Sequence, residues 1–417
     1  MLSVLEEENP SLKKQPKDPL QQLSDSAAHI AAIMDTLFEP LQLYLHDRLA
    51  VNQSHFTSGA LLDELLRESP IYPLLGDDTI NDILINGPFE VYITRHDKLE
   101  KTDIAFRDSR SLMVLATAIA ASVGRTIDPN RPLVDARLKD GSRVNIIAPP
   151  MAVGGITVSI RKFPHQEITI EKLIENGEMT EQVAEFLKLC VESRVSILIS
   201  GGTGTGKTTL LNAISHFVPE TERIITIEDT AELRLQQPHV VRLETKEPHT
   251  LGERKEEVNA ADLVRNALRM RPDRIIVGEV RGGEAYDMIQ ALNTGHAGSM
   301  TTVHANTPRD AFTRLENLIG SRMPNTPANN VRQQMVSALN IIIELVYESS
   351  GKRRISSIME VVGMEMDTPT MQEIFTLPQG SKQTWTSIVP HHQKLAEAVR
   401  SSPYFQKALN AMEKTIS

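Results

Sequence analysis

Hydrophobic and polar positions follow a repeating order over the second half of the chain. Between residues 171 and 350, apolar runs of strand length alternate with stretches whose apolar residues recur every three or four positions. Such alternation is typical of a parallel sheet covered by helices. We therefore predict an α/β domain with a parallel-rich sheet over residues 171–350. Its predicted strands are Val195–Ser200, Ile224–Glu228, Val240–Leu243, Ile275–Glu279, Ser299–His304 and Ile341–Val346.

The chain before this domain has a different pattern. Residues 71–163 contain short strand-like runs around one apolar helical stretch, Arg110–Val123, and predict a smaller α+β domain. Residues 24–70 carry apolar positions at helical spacing and predict a helical N-terminal module. Residues 1–23 are charged and aperiodic, so we expect disorder there. Residues 164–170 begin with a proline and are predicted to link the two domains.

Residues 351–417 are predicted to form a C-terminal extension. The alternating stretch Ile355–Met366 is typical of a hairpin. A polar linker follows, and Leu395–Met412 has the spacing of one amphipathic helix.

The segment Gly201–Thr209 lies between a predicted strand and a predicted helix and matches G-x-x-x-x-G-K-[ST] at every fixed position. Its glycines allow backbone N–H groups to turn around phosphate oxygens, and the helix N-terminus adds positive charge. In such a loop Lys207 reaches the β- and γ-phosphates, and the Thr208 hydroxyl binds Mg²⁺. The sequence therefore predicts a nucleoside triphosphate site. Its expected contacts are Gly202, Thr203, Gly204, Thr205, Gly206, Lys207, Thr208 and Thr209.

Two predicted strands end in acids. Glu228 and Asp229 follow one apolar run, and Glu279 follows another. The carboxyl edge of such a sheet is where ligands bind, and an acid there can orient or deprotonate the attacking water. Many P-loop enzymes carry a metal-binding Asp directly before this last acid, whereas this chain has Gly278. We therefore expect Glu279 to be catalytic and Glu228 or Asp229 to serve the Mg²⁺ side.

Histidines and arginines supply further candidates. His296 and His304 flank a polar strand after the second acidic strand, and we interpret both as sensors of the γ-phosphate state. A zinc site is not expected, because no third ligand is suitably spaced. Phosphoryl transfer also requires positive charge near the γ-phosphate. Arg143 and Arg161 lie on predicted strands just before the linker and are candidates for that charge.

Composition narrows the possible functions. The formal net charge of −10 and the pI of about 5.7 argue against nucleic acid as the main ligand. Cys190 is the only cysteine, which excludes an internal disulfide, and its apolar helical setting predicts a buried small side chain. The longest apolar stretch, Leu112–Val123, is shorter than the roughly 18 residues a membrane span needs. We expect a cytoplasmic protein that reaches the inner membrane through partners.

The ordered set of motifs resembles the secretion ATPases of the type II/type IV family, and within them the CpaF-like motors of Tad (Flp) pilus assembly. The resemblance covers about Leu74 to Ile358. It depends on Gly201–Thr209 as Walker A, Ile225–Glu232 as the Asp box, Ile275–Glu279 as Walker B, Gly295–His304 as the His box, and the characteristic run Leu263–Arg274.

The resemblance implies a RecA-like ATPase domain in a homohexameric ring, with ATP and Mg²⁺ bound between the two domains of each subunit. It assigns water activation to Glu279 and the metal and water network to Glu228. It also implies that Arg143 and Arg161 reach the phosphates from the N-terminal domain. The expected partner is an inner-membrane platform that assembles, and in some systems retracts, a pilus.

Four alternatives remain open on sequence grounds. A type IV secretion or conjugation motor would share every motif. A nucleic-acid translocase would need a basic channel, which the acidic balance disfavours. A P-loop GTPase or small-molecule kinase is a third possibility, but a GTPase would carry [NT]-K-x-D after the P-loop, and Thr245–Pro248 lacks its Asp. A non-catalytic scaffold would need defective acids, whereas both acidic strands are intact.

Overall fold

The structure is a computed structural model that describes residues 58–95, 98–163, 168–245, 258–348, 350–378 and 381–416. The predicted disordered segment 1–23, most of the predicted module 24–70 and part of the predicted linker lie outside these residues. The chain divides into two compact units at residues 165 and 166. We call them the N-terminal unit and the C-terminal unit.

The N-terminal unit is an antiparallel sheet with helices on it. Its six strands lie in the order β3-β2-β1-β6-β5-β4. Leu112, Leu115 and Ile119 of helix α3 are buried with alternate residues of the strands. Asp108 caps α3 by accepting a hydrogen bond from the Ser111 amide at 2.8 Å. The elements are α1 (Ser58–Glu68), α2 (Tyr72–Gly76), β1 (Ile80–Asn86), β2 (Val91–Arg95), β3 (Lys98–Lys101), α3 (Ser109–Ser122), β4 (Leu133–Arg137), β5 (Arg143–Ile147) and β6 (Thr157–Arg161).

The C-terminal unit contains the α/β domain predicted from the alternating pattern, and all six predicted strands are present. Its strands are β7 (Ile197–Gly201), β8 (Ile224–Glu228), β9 (Val240–Glu244), β10 (Arg274–Val277), β11 (Met300–His304), β12 (Ile341–Tyr347), β13 (Arg353–Glu365), β14 (Thr368–Thr376) and β15 (Thr384–Trp385). Its helices are α4 (Ile170–Glu175), α5 (Glu181–Glu192), α6 (Lys207–Ser215), α7 (Ala260–Ala267), α8 (Glu284–Asn293), α9 (Pro308–Arg322), α10 (Ala328–Ala338), α11 (Gln393–Ser401) and α12 (Pro403–Ile416).

The nine strands of this unit form one sheet in the order β15-β14-β13-β12-β7-β11-β10-β8-β9. Pairing is parallel from β12 to β9 and antiparallel from β12 to β15. Ile197 and Ile199 pack on one face against α5 and α6, and Leu198 packs on the other against α8 and α9. Both faces are therefore covered, which explains the continuous apolar strands.

Two predictions for residues 351–417 were wrong in detail. The stretch predicted as a hairpin is one long strand, β13, which turns at Met366 into β14. Met366 has a φ of 50° and is exposed, and this turn lacks the Gly or Asn that normally marks one. The predicted single terminal helix is divided into α11 and α12 at Pro403, since a proline cannot donate the helical hydrogen bond.

An aromatic cluster attaches this C-terminal region to the rest of the unit. Phe405 of α12 contacts the rings of Phe186, Phe375 and Trp385, with centroid separations of 5.0–6.4 Å. Phe186 belongs to α5 and Phe375 to β14, so the helices, the hairpin and the sheet share one core.

Candidate functional site

The P-loop is a tight turn between β7 and α6. Gly206 stands at the N-cap of α6 with a φ of 94°, a conformation that favours glycine. Because glycine has no side chain to cap the helix, the first amides of α6 are left for another acceptor, such as a phosphate. The Thr205 hydroxyl donates to the Gly202 carbonyl at 2.9 Å and closes the loop. Thr203 and Gly204 are exposed at its tip, and Thr208 and Thr209 are partly exposed on the first turn of α6.

Lys207 lies folded inside the loop. Its Nζ donates to the carbonyls of Gly201 at 3.0 Å and Gly202 at 2.7 Å. It also lies 3.4 Å from Nδ1 of His304. Burial lowers the pKa of Lys207 although the nearby Glu279 opposes this shift. The ammonium group is thus held at the carboxyl end of β7, beside the last residue of β11.

The two acidic strands deliver their acids to the same edge. β8 pairs with β10 in parallel, and Ile227 lies opposite Val277, so Glu228 and Gly278 are the next residues of the two strands. A side chain at Gly278 would meet Glu228 Cγ at 2.9 Å. A larger residue there would therefore displace Glu228, which explains why a glycine precedes Glu279 in this chain. Glu228 occupies the space that an acid at position 278 would use.

Glu228 is a buried carboxyl with one bonded and one unbonded oxygen. Its Oε2 accepts from the amides of Glu232 at 2.7 Å and Leu233 at 2.9 Å. Its Oε1 is buried and has no hydrogen-bond partner among the described residues. Burial raises the pKa of Glu228 to about 7, although the two amides act in the opposite direction. Such a carboxyl can change its protonation state near neutral pH.

Glu279 lies close to Arg281, Lys207 and His304. Arg281 Nη2 donates to Glu279 Oε2 at 2.8 Å, and Arg281 Nη1 lies 3.5 Å from Asp229. Burial would raise the pKa of Glu279, but Arg281, His304 and Lys207 outweigh burial and lower it. Glu279 is therefore ionised at neutral pH.

His304 connects Lys207 with Glu279. Its Nε2 lies 3.0 Å from Glu279 Oε1, although the two are not aligned as a hydrogen bond. Burial and the charge of Lys207 lower the pKa of His304, so the ring is neutral at pH 7. A neutral ring with its proton on Nε2 would accept a hydrogen bond from Lys207 at Nδ1. The Nε2 proton would then point towards Glu279.

The structure does not bring His296 to this cluster. His296 precedes β11, whose parallel partner β7 leads into the P-loop. It therefore lies at the amino edge of the sheet, and its Nδ1 lies 3.2 Å from the Ala291 carbonyl. The prediction that His296 contacts the nucleotide is not met within this chain, because the length of β11 separates it from His304.

Arg143 and Arg161 belong to the N-terminal unit. They lie directly opposite each other on β5 and β6, and therefore on one face of the sheet. Arg137 of β4 pairs with Arg143, which places three guanidinium groups in one row across three strands. Arg161 Nε lies 3.3 Å from Asp82 on β1. A row of this kind concentrates positive charge on one face.

Sequence reasoning missed three contributors. Arg281 has no role in the sequence analysis, yet it contacts Glu279 and Asp229. The steric role of Gly278 depends on strand order. Arg353 donates from Nε to the Gly204 carbonyl at 2.8 Å, although the two residues are 149 positions apart. No local motif signals any of these contacts.

The described residues contain no group of three or more His, Cys, Asp or Glu side chains that could hold a metal ion. Cys190 is buried, as predicted, and burial raises the pKa of its thiol well above the usual range. Within the described ranges, no helix is both long and apolar enough to cross a membrane.

Comparison with known proteins places these features in a family. Residues 64–411 match the family model described as type II/IV secretion system protein. A protein of Mycobacterium tuberculosis named for conjugal transfer is 34% identical over 316 residues, which cover 74% of this chain and 86% of that protein. The type IV secretion system protein VirB11 of Brucella suis is 33% identical over 322 residues, covering 69% of this chain and 88% of VirB11.

A solved structure agrees in fold. The pilus retraction motor PilT with bound ADP has a TM-score of 0.51 and 20% identity, and covers 86% of this chain and 90% of PilT. This likeness concerns the fold, which has an N-terminal domain followed by a RecA-like domain. A P-loop, an ionised acid and a lysine thus meet at one edge of the sheet, and the family model spans most of the chain. The chain therefore belongs to the type II/IV secretion system protein family and is an ATP hydrolase of it.

Proposed function

We propose that this ATPase is the hexameric motor of a Tad/Flp-type pilus, and that it drives assembly, and in some settings retraction, through an inner-membrane platform. The observation that carries the hydrolytic part is the contact series Lys207, His304 and Glu279 at the carboxyl edge of the sheet. The pilus part is supported by the ordered motifs, including the run Leu263–Arg274.

In this proposal Glu279 positions and deprotonates the attacking water. Its lowered pKa keeps it ionised, and its Oε1 has no hydrogen bond among the described residues. The water oxygen forms a bond to the γ-phosphorus while the bond to the ADP oxygen breaks, and the water proton passes to Glu279. Lys207 leaves the carbonyls of Gly201 and Gly202 to contact the β- and γ-phosphates. His304 then senses whether the γ-phosphate is present.

The same edge has side chains that fit Mg²⁺. Thr208, with Glu228 and Asp229 on the metal and water network, would hold the ion, and the unbonded buried oxygen of Glu228 is an acceptor of the kind that such a network uses. Magnesium sites rely on one or two carboxylates together with phosphate oxygens and water. When bound, Mg²⁺ would neutralise developing phosphate charge.

The charged row of the N-terminal unit supplies the second half of the proposed cycle. Arg143 and Arg161 are cross-strand neighbours, and two like charges on one face favour a shared anion. We propose that they bind the γ-phosphate of ATP and release it after hydrolysis. The hinge expected at residues 163–168 lies mostly outside the described residues. Gain and loss of this phosphate contact would then drive the proposed power stroke.

The second candidate function is a type IV secretion or conjugation motor. The observation that favours it is that the relative of Mycobacterium tuberculosis is named for conjugal transfer and that of Brucella suis for type IV secretion. The catalytic edge would be identical, so only the machine differs.

The Lys207→Ala variant tests ATP hydrolysis in the purified protein. Its effects in cells distinguish a pilus motor from a secretion or conjugation motor. The purified variant should lose at least about 10³-fold in ATP turnover, because the phosphate charge is left uncompensated. It should keep the oligomeric mass of the wild type, which we expect to be a hexamer in light scattering. In the source organism, the variant should abolish surface pilin in a sheared fraction and leave conjugal transfer frequency unchanged. Full turnover would refute the site, and loss of transfer with normal pili would favour the second candidate.

A further inference from the structure

Two side chains with planar groups, a tyrosine ring and a guanidinium, lie near the P-loop on the side of β7 opposite β11. Tyr347 is the last residue of β12, and Arg353 is the first residue of β13 and its antiparallel partner. The Arg353 guanidinium carbon lies 5.8 Å from the centroid of the Tyr347 ring. Tyr347 remains 48% exposed, so a large part of its surface is open to a ligand.

Strand register sets this pair beside the P-loop. Leu345 pairs with Gly201 in the parallel β12–β7 ladder, so Tyr347 lies two residues further towards the carboxyl edge. Arg353 Nε donates to the Gly204 carbonyl at 2.8 Å, and a side-chain carbon at Gly206 would lie 3.4 Å from Arg353 Cδ. The pair is thus in direct contact with the loop.

The β12–β13 turn holds the pair in place. The Glu348 amide donates to the Lys352 carbonyl at 2.8 Å, and the Gly351 amide donates to the Glu348 carbonyl at 2.9 Å. Arg354 Nη1 donates to the Glu348 carboxylate at 3.3 Å. A platform on such a turn is largely preformed, which reduces the entropy that binding must offset.

The orientation of a bound nucleotide follows from the strand order. Glu279 and His304 follow or end β10 and β11, which lie on one side of β7, whereas β12 and β13 lie on the other. The γ-phosphate must face Glu279 if water is to attack there. The nucleoside end of this elongated molecule then points to β12 and β13, two strands or about 10 Å from β7.

We propose that Tyr347 and Arg353 form the base subsite of this ATPase, a stacking platform for a purine on the side of the P-loop away from Glu279. Phenol rings and guanidinium planes both stack on nucleobases, and a purine offers a larger face than a pyrimidine. The inference depends on a nucleotide occupying Gly201–Thr209, as the proposed function requires.

Calorimetry on the full-length protein tests the subsite with two probes, ADP and inorganic pyrophosphate, which has no base. Tyr347→Ala should weaken ADP binding about 10-fold and leave pyrophosphate binding unchanged, because only the stacked base loses its partner. Tyr347→Phe retains the ring and should recover most of the ADP affinity. Tyr404→Ala removes a tyrosine of similar exposure from α12 and is the matched control. Equal losses for both probes, or no loss for ADP, would overturn the proposal.

Two further measurements keep the test decisive. If Tyr347→Ala does not fold, the wild type alone decides: ADP should bind at least about fivefold more tightly than CDP, and equal affinities would contradict a stacking platform. Lys207→Ala should lose both ADP and pyrophosphate. A wild type that binds neither probe would instead refute nucleotide binding at the P-loop, so the two failures are distinguishable.

Discussion

The amino and carboxyl edges of the nine-stranded sheet both carry buried charged groups, but these groups differ in how far their hydrogen bonds are satisfied. At the amino edge, Arg274 is fully buried and its guanidinium donates to Glu222 and to the carbonyls of Gly298 and Val191. At the carboxyl edge, buried oxygens of Glu228 and Glu279 have no hydrogen-bond partner among the described residues. The same strand, β10, begins at the first edge and leads into the second.

This difference separates stability from chemistry. A buried charge with all its hydrogen bonds satisfied holds its neighbours in one arrangement. A buried acid with an unused oxygen costs stability, and natural proteins retain such groups where a ligand or a proton will use them. The amino edge therefore positions the strands, and the carboxyl edge holds the groups to which we assign the chemistry.

Glu279→Gln should produce the largest effect, since it removes the proposed base from the carboxyl edge. ATP turnover should fall about 10²- to 10⁴-fold, while ATP affinity changes little because Lys207 and the P-loop are intact. Single-turnover kinetics and equilibrium binding would measure the two quantities. Glu220→Gln changes an exposed acid just before β8, at the amino edge, and should leave both unchanged. Normal turnover in Glu279→Gln would contradict the assignment of chemistry to the carboxyl edge.

Arg274→Met should act on stability instead of turnover. Among the described residues it leaves the Glu222 carboxylate with Arg194 alone, at 2.9 Å. We therefore expect a loss of about 3 kcal/mol in the free energy of unfolding. The single tryptophan, Trp385, lies in the C-terminal unit and reports on its urea transition by fluorescence.

A double variant provides the control for that measurement. Arg274→Met with Glu222→Leu removes both charges and should recover most of the lost stability. Turnover per folded molecule should stay near the wild-type value in both variants. A large drop in turnover at unchanged stability would show that the amino edge takes part in chemistry.

How far sequence could predict these edges depends on whether a contact follows from local pattern. Alternating strands and helices placed Lys207, Glu228 and Glu279 at one edge, because parallel strands share their carboxyl ends. The steric role of Gly278 was not predictable, since it requires β8 to lie beside β10. Arg353 was missed for the same reason, because strand order alone brings β13 near the P-loop.

Glu228 should give stability a pH dependence of defined sign. Burial raises its pKa from 4.5 to about 7, so the folded state binds more protons than the unfolded state between these values. Its contribution is complete below pH 4.5 and is lost as pH rises through about 7, a total of about 3 kcal/mol. The free energy of unfolding of the wild type, followed by Trp385 fluorescence, should therefore fall relative to Glu228→Gln over this range. Parallel curves would show that folding does not raise the pKa of Glu228.

His296→Ala should have the smallest effect and tests whether the proposed chemistry is confined to the carboxyl edge. Its ring lies beyond the start of β11, and the five residues of that strand extend about 16 Å before His304 reaches Lys207. Direct contact with a nucleotide in the P-loop of the same chain is therefore excluded by length, and turnover should remain within about twofold of the wild type. His304→Ala, measured beside it, should lower turnover much more because it breaks the link between Lys207 and Glu279. Equal losses of turnover in the two variants would mean that the amino edge of one subunit completes the site of another. The division between a structural and a chemical edge would then hold only within a single chain.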